Sequence, residues 1–147
     1  MTPRAAFRLA AVLRCVIALV LVATSLGKLL DLAGFAAVLR SYEALPGSVI
    51  GPMAAAVPLA ELVLAAWLLS GRRLPVASLV SVALHLLYAA WAAIGILRGL
   101  RLANCGCFGV FFARPLTWRT VLEDGVMAAL SAGLFLAAMR SRMRIAA

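Results

Sequence analysis

The chain has 147 residues, 66% of them apolar and 13% charged, with a mean hydropathy of +1.10 and a formal net charge of +9. Such a composition excludes a soluble globular domain and indicates an integral membrane protein. The basic excess does not indicate nucleic-acid binding, because the arginines fall at the ends of apolar blocks and form no surface interleaved with aromatic residues.

Four apolar blocks, roughly 9–30, 49–70, 74–97 and 116–139, are long enough to cross about 30 Å of hydrocarbon at about 1.5 Å per residue. Backbone in lipid must satisfy its own hydrogen bonds, so blocks of this length are helices. The expected fold is all-α, a four-transmembrane-helix bundle forming a single membrane domain over 1–147, with connecting loops at 31–48 and 98–115. Alanine, glycine and serine recur in every block ("MAAA", "AAWAAIG", "AALSAG"), which suits close helix approach.

The first block follows Arg4, Arg8 and Arg14 and passes "ATS", a combination found in signal peptides. It continues through "LGKLLDLAGF" without a polar mature start, and so reads as a retained span. Cys15, beside Arg14, is expected to be a buried or interface-adjacent structural thiol, roughly a membrane thickness of about 30 Å from the other two cysteines. Lys28 and Asp31 are three residues apart at the far end of this span, a spacing that lets them pair on one helix face.

The second and third blocks carry the two deepest ionisable residues, Glu61 and His85. Counted from the turn at Arg72, their depths differ by only about 3 Å. They are expected to pair, either as an interhelical polar clamp or as a proton relay or contact to a quinone head group. The fourth block opens near Glu123 and Asp124, where negative charge complements a helix N-terminus and lies under the preceding loop.

Eight basic residues (Arg4, Arg8, Arg14, Arg72, Arg73, Arg140, Arg142, Arg144) fall on one side of these spans and six (Lys28, Arg40, Arg98, Arg101, Arg114, Arg119) on the other. The positive-inside rule then puts both termini in the cytoplasm and both longer loops outside. "NCGCFG" (Asn104–Gly109) would lie in an oxidising compartment, the periplasm if the membrane is a bacterial inner membrane.

Cysteines at i and i+2 come within reach of disulfide geometry, and Gly106 between Cys105 and Cys107 relaxes the backbone for so small a ring. Closure of so short a loop adds little stability, so a structural staple explains the pair poorly, whereas ring strain suits exchange. Copper(I) on two thiolates is a second reading. Zinc lacks ligands, since His85 lies mid-span, and haem attachment lacks its Cys-x-x-Cys-His motif, so no metal site is expected.

Two stretches resemble a known family. "GKLLDLAGFAAVLRSYEALP" (Gly27–Pro46) leading to "PLAE" (Pro58–Glu61), and "CGCFG" (Cys105–Gly109) ahead of the fourth span, are similar to the MauE proteins of methylamine utilisation, within the wider DoxX-like membrane group. The resemblance implies work with a periplasmic thioredoxin-like partner on disulfides of exported proteins, in the family's named case methylamine dehydrogenase. The four-helix arrangement is further similar to quinone-coupled disulfide-generating proteins of the DsbB and vitamin K epoxide reductase type, which use two cysteine pairs where this chain has one.

The expected function is therefore thiol–disulfide redox by Cys105 and Cys107, supported by Asn104, Gly106, Phe108 and Gly109. Lys28, Tyr42, Glu61 and His85 are candidates for thiol tuning, proton movement or binding a membrane quinone. The rival is a non-enzymatic membrane assembly factor or a copper(I)-binding subunit. Partners are the thioredoxin-like protein, an exported protein and membrane lipid, without nucleic acid.

Overall fold

The computed structural model describes residues 3–143, with side chains over 7–140. Arg4, Arg142 and Arg144, three of the basic residues assigned to one side, lie outside the described side chains. The described chain is helical throughout its ordered elements: α1 (Pro3–Leu29), α2 (Leu32–Ser41), α3 (Gly47–Ser70), α4 (Leu74–Leu97) and α5 (Trp118–Met143). Four segments are long and apolar enough to cross a membrane: Phe7–Leu29, Gly47–Ser70, Leu74–Leu97 and Trp118–Arg140. Their bounds follow the four apolar blocks closely, and the protein is a multi-pass helical membrane protein.

The residue pattern explains the bundle. Ile17, Leu21, Leu68 and Leu134 are fully buried and meet across small neighbours, Ala18, Ala65, Ala77 and Ala137. In lipid the association of helices rests on such close packing and on interhelical polar contacts. Ser81 of α4 and Ser131 of α5 supply one, their hydroxyls 2.8 Å apart, and the Ser131 hydroxyl also donates to the Met127 carbonyl on its own helix. Leu19, Val63, Leu87 and Leu122 point outward and are exposed, as a lipid-facing surface requires. Cys15 belongs to this outer surface and is exposed, which corrects the buried alternative of the two expected placements. Buried Ile17 lies two positions on, about 200° round the helix.

Consecutive spans alternate in direction, so α2, the loop between α4 and α5, and the start of α3 share one end of the bundle. The Arg72 turn lies at the other. That turn closes on Gly71, left-handed at φ 67°, and on Arg73 at φ 48°, with Pro75 opening α4.

α2 interrupts the expected 31–48 loop. Asp31 caps it, its side chain accepting from the Gly34 N–H at 2.8 Å, and Phe35, Ala36 and Leu39 bury against Ile50 and Ala54 of α3. The expected Lys28–Asp31 pair is therefore not made: the free N–H groups of a new helix claim the aspartate. Glu123 and Asp124 are also displaced from their expected role, since α5 begins at Trp118 and carries no acidic residue in its first turn.

Candidate functional site

The 98–117 segment is not a loose loop. Its two limbs are tied by Cys105 N–H to the Arg114 carbonyl at 2.7 Å and Leu116 N–H to the Leu102 carbonyl at 2.9 Å. Within the tip, Asn104 Oδ1 accepts from the Gly106 N–H and its Nδ2 donates to the Gly109 carbonyl, both at 2.9 Å. Asn104 thus supplies both a donor and an acceptor, which an Asp side chain could not. Gly106 and Gly109 are left-handed at φ 81° and 69°, a conformation disfavoured by any side chain.

Two glycines also set the loop onto the bundle. A Cβ on Gly27 would fall on the Phe108 carbonyl, and one on Gly109 would fall on the Gly27 carbonyl, so loop and α1 meet backbone to backbone. From the other side, the Tyr42 hydroxyl at the end of α2 donates to the Cys105 carbonyl at 2.9 Å. Burial and the nearby thiols push the Tyr42 hydroxyl up, keeping that donor protonated. Arg98 holds this corner by donating to the carbonyls of Tyr42 and Glu43 at 2.7 and 3.1 Å.

This clamping brings Cys105 and Cys107 together with their Sγ atoms 2.8 Å apart, in thiol–thiol hydrogen-bond contact. The two are not equivalent. Cys105 is buried, Cys107 half-buried. The Cys105 thiol is lowered to about 6, chiefly by the hydrogen bond from Cys107, with the Cys107 backbone N–H, the Arg114 charge and the Thr120 hydroxyl adding against the effect of burial. The same hydrogen bond, burial and the Cys105 charge push Cys107 up. Arg114 is itself fixed by Glu123, at 3.2 and 2.5 Å, and lies over the Phe108 ring at 5.3 Å.

Below the thiols lies a cavity of about 320 Å³. Lys28, Tyr42, Glu61 and His85 all line it with both cysteines. Lys28 Nζ and Glu61 Oε1 form a buried ion pair at 2.5 Å, and the Tyr88 hydroxyl donates to the same oxygen at 2.8 Å. Side chains on a helix lean toward its N-terminus. On α1 and α3, which run in opposite senses, Lys28 and Glu61 therefore lean toward each other about the level where Ser25 Oγ donates to the Pro58 carbonyl at 2.6 Å. The rings of Phe35 and Tyr88, 5.7 and 5.6 Å from Lys28 Nζ, add cation–π contact. Glu61 Oε2 is buried and has no hydrogen-bond partner.

The expected Glu61–His85 pair is not formed. His85 Nδ1 sits 2.8 Å from the Ser81 carbonyl on its own helix; a carbonyl only accepts, so Nδ1 carries the proton. Matched depth says nothing about which way a residue faces round its helix, and Glu61 is taken by Lys28 of α1 and Tyr88 of α4. His85 instead stands edge-on to Tyr88, ring centroids 6.5 Å apart. Glu123 and Asp124, expected as part of a charge cluster under the cysteine loop, do line the cavity, whereas Tyr88, Thr120 and the pairing of Arg114 with Glu123 were not foreseen. Of these, Tyr88 left a signal, lying three residues after His85 and hence on the same helix face.

Among the described residues no group of three or more His, Cys, Asp or Glu side chains could hold a metal ion. A family model described as methylamine utilisation protein MauE matches residues 6–137. The chain is similar to the Methylamine utilization protein MauE of Paracoccus denitrificans, 34% identical over 119 residues, covering 81% of this chain and 64% of that protein. It thus spans less than two thirds of that relative's length. No solved structure matches.

Proposed function

The chain belongs to the MauE family, and from that premise we propose that it is a thiol–disulfide oxidoreductase of the bacterial inner membrane that serves methylamine utilisation by oxidising an exported partner. The asymmetry of the dithiol carries this reading: a half-buried Cys107 beside a buried Cys105 whose thiolate is stabilised. A sulfur that is accessible and a neighbour that leaves well are what exchange needs, because leaving-group acidity sets the rate at which a disulfide opens.

In the oxidised form, a partner thiolate attacks Cys107 Sγ, the Cys105–Cys107 bond breaks, and Cys105 leaves as a thiolate held by Arg114 and Thr120. The partner's second thiolate then attacks the partner sulfur of the mixed disulfide and releases Cys107, which takes up a proton. Two electrons have passed to the chain; the partner holds a new disulfide and Cys105 and Cys107 are a dithiol. The partner is a periplasmic thioredoxin-like protein or the exported protein itself. The charge distribution supports this orientation, with the Arg72 turn cytoplasmic and the cysteine loop periplasmic. A membrane quinone, held in the cavity that Lys28, Tyr42, Glu61 and His85 line with both cysteines, would supply the two-electron acceptor that restores the disulfide.

A Cys105→Ser variant removes the internal thiol that would reopen the mixed disulfide. Offered the disulfide form of the partner, this variant runs the exchange in reverse: its Cys107 thiolate attacks one partner sulfur, the partner S–S bond breaks, and the partner should accumulate on Cys107, identifiable by mass after acid trapping. Full exchange by both the Cys105→Ser and Cys107→Ser variants, or one equivalent of copper(I) on a dithiol that does not exchange, would overturn the reading in favour of an assembly or copper-binding role.

A further inference from the structure

A buried carboxylate in a membrane span normally fills its acceptor sites, since an unmet buried polar atom is costly. Glu61 fills them on one oxygen only. Lys28 and Tyr88 both bond Oε1, while Oε2 is left without a partner. An ion pair that is fully desolvated gives little net stability, so its retention calls for another explanation.

The surroundings narrow the kind of group that would meet Oε2. The cavity lined by Glu61 runs to both thiols; besides polar groups that include His85, Thr120, Glu123 and Asp124, its walls are apolar side chains such as Val20, Leu39, Met53 and Val57. Leu87, at mid-depth on α4, lines it while 62% exposed. At that depth exposure means lipid, and taken over their length α3 and α4 pack together less than α3 does with α1 or α4 with α5, which leaves access from the membrane. At about 320 Å³ the space matches the low end of small-molecule sites, enough for a single-ring head group. A carboxylate paired with lysine only accepts hydrogen bonds. The matching ligand is lipid-soluble, ring-shaped and carries a hydroxyl.

Resting on the redox reading above, we propose that this cavity is a quinone-head site selective for the reduced form, with Glu61 accepting a hydrogen bond from a hydroquinone hydroxyl through Oε2. The overall reaction balances: Cys105 and Cys107 lose two electrons and two protons as their S–S bond forms, and a bound quinone takes up both to become the hydroquinone. Lys28 and Tyr88 occupy Oε1, so the open Oε2 is the atom that favours that product. The preference pulls electrons out of the dithiol, and a plain apolar pocket would not supply it.

Calorimetric titration of the full chain in lipid nanodiscs, with Cys105→Ser and Cys107→Ser in place so that no electrons transfer, compares decylubiquinone with its hydroquinone. The hydroquinone should bind about tenfold or more tightly, the scale of one hydrogen bond to a charged acceptor. Glu61→Gln should bring the ratio of the two affinities close to one. Since Glu61→Gln alone strands the Lys28 charge, the Lys28→Met/Glu61→Gln double variant repeats the test without it. Equal affinities in the parent protein, a preference that survives both variants, or no saturable binding of either ligand would overturn the site. Single-turnover oxidation of a dithiol peptide by the oxidised wild-type chain, with no quinone present, reports separately on the exchange reading. If it proceeds while the preference is absent, only the Glu61 site falls.

Discussion

The Cys105 thiol is lowered chiefly by the hydrogen bond from Cys107, so its alkylation rate should rise with pH through a midpoint well below that of an ordinary thiol and then level. In a Cys107→Ala variant the donated hydrogen bond is gone, and the midpoint should move up toward the ordinary thiol value of about 8.5. A midpoint unchanged in that variant would mean that Arg114 and Thr120, not Cys107, hold the thiolate. Lys28 and Glu61 make a second residue-level prediction. Lys28→Met alone leaves the Glu61 charge buried and should destabilise the chain by about 3–5 kcal/mol, whereas Lys28→Met/Glu61→Leu should recover most of that loss. Unfolding in mixed micelles measures both, and strictly additive losses would show the pair to be uncoupled.

Among the elements, the cysteine loop owes its position to contacts made outside itself. Gly109 combines a left-handed backbone at φ 69° with contact against the Gly27 carbonyl. Gly109→Ala should cost about 1–2 kcal/mol for the backbone conformation alone, and the added Cβ has no room until the loop lifts from α1. Faster alkylation of Cys107, with helix content by circular dichroism unchanged, is the expected signature. Asp31→Ala removes the cap of α2 and should cost about 1 kcal/mol, seen as faster hydrogen exchange over Leu32–Ser41. The sequence "DLAGFAAVLRS" did carry this helix, in its capping aspartate and in the apolar spacing of Phe35, Ala36 and Leu39. Asp31 also matched a spacing for pairing with Lys28, and local spacing cannot choose between two uses of one carboxylate.

For the whole molecule, the even number of spans puts the two ends of the described chain on one side and the cysteine loop on the other. With the orientation proposed above, a membrane-impermeant maleimide applied to intact cells after reduction should label Cys107 and leave Cys15 unmodified. Cys15 lies exposed within the first span, toward the Arg72-turn end, where on the orientation proposed an external charged reagent does not reach. Labelling confined to everted vesicles would reverse the orientation and with it the compartment of the exchange reaction.

The four spans, their order and the sharp turn at Gly71 were determined by the sequence itself, because hydrocarbon thickness and backbone hydrogen bonding leave an apolar block of that length one conformation. The same holds for the closeness of Cys105 and Cys107, which one intervening glycine ensures. Tertiary structure alone decided which buried charges meet. Glu61 was read with His85 from matched depth, but depth is one coordinate of three. The packing of α3 on α1, and the lean of each side chain toward its own helix N-terminus, gave Glu61 to Lys28 instead. The difference between the two thiols was likewise beyond the sequence, since it depends on Arg114, Thr120 and burial, groups gathered by the docking of the loop. Contacts within a turn or two follow from bond geometry and spacing; contacts between spans depend on how each helix is rotated about its axis, which only the packed bundle settles.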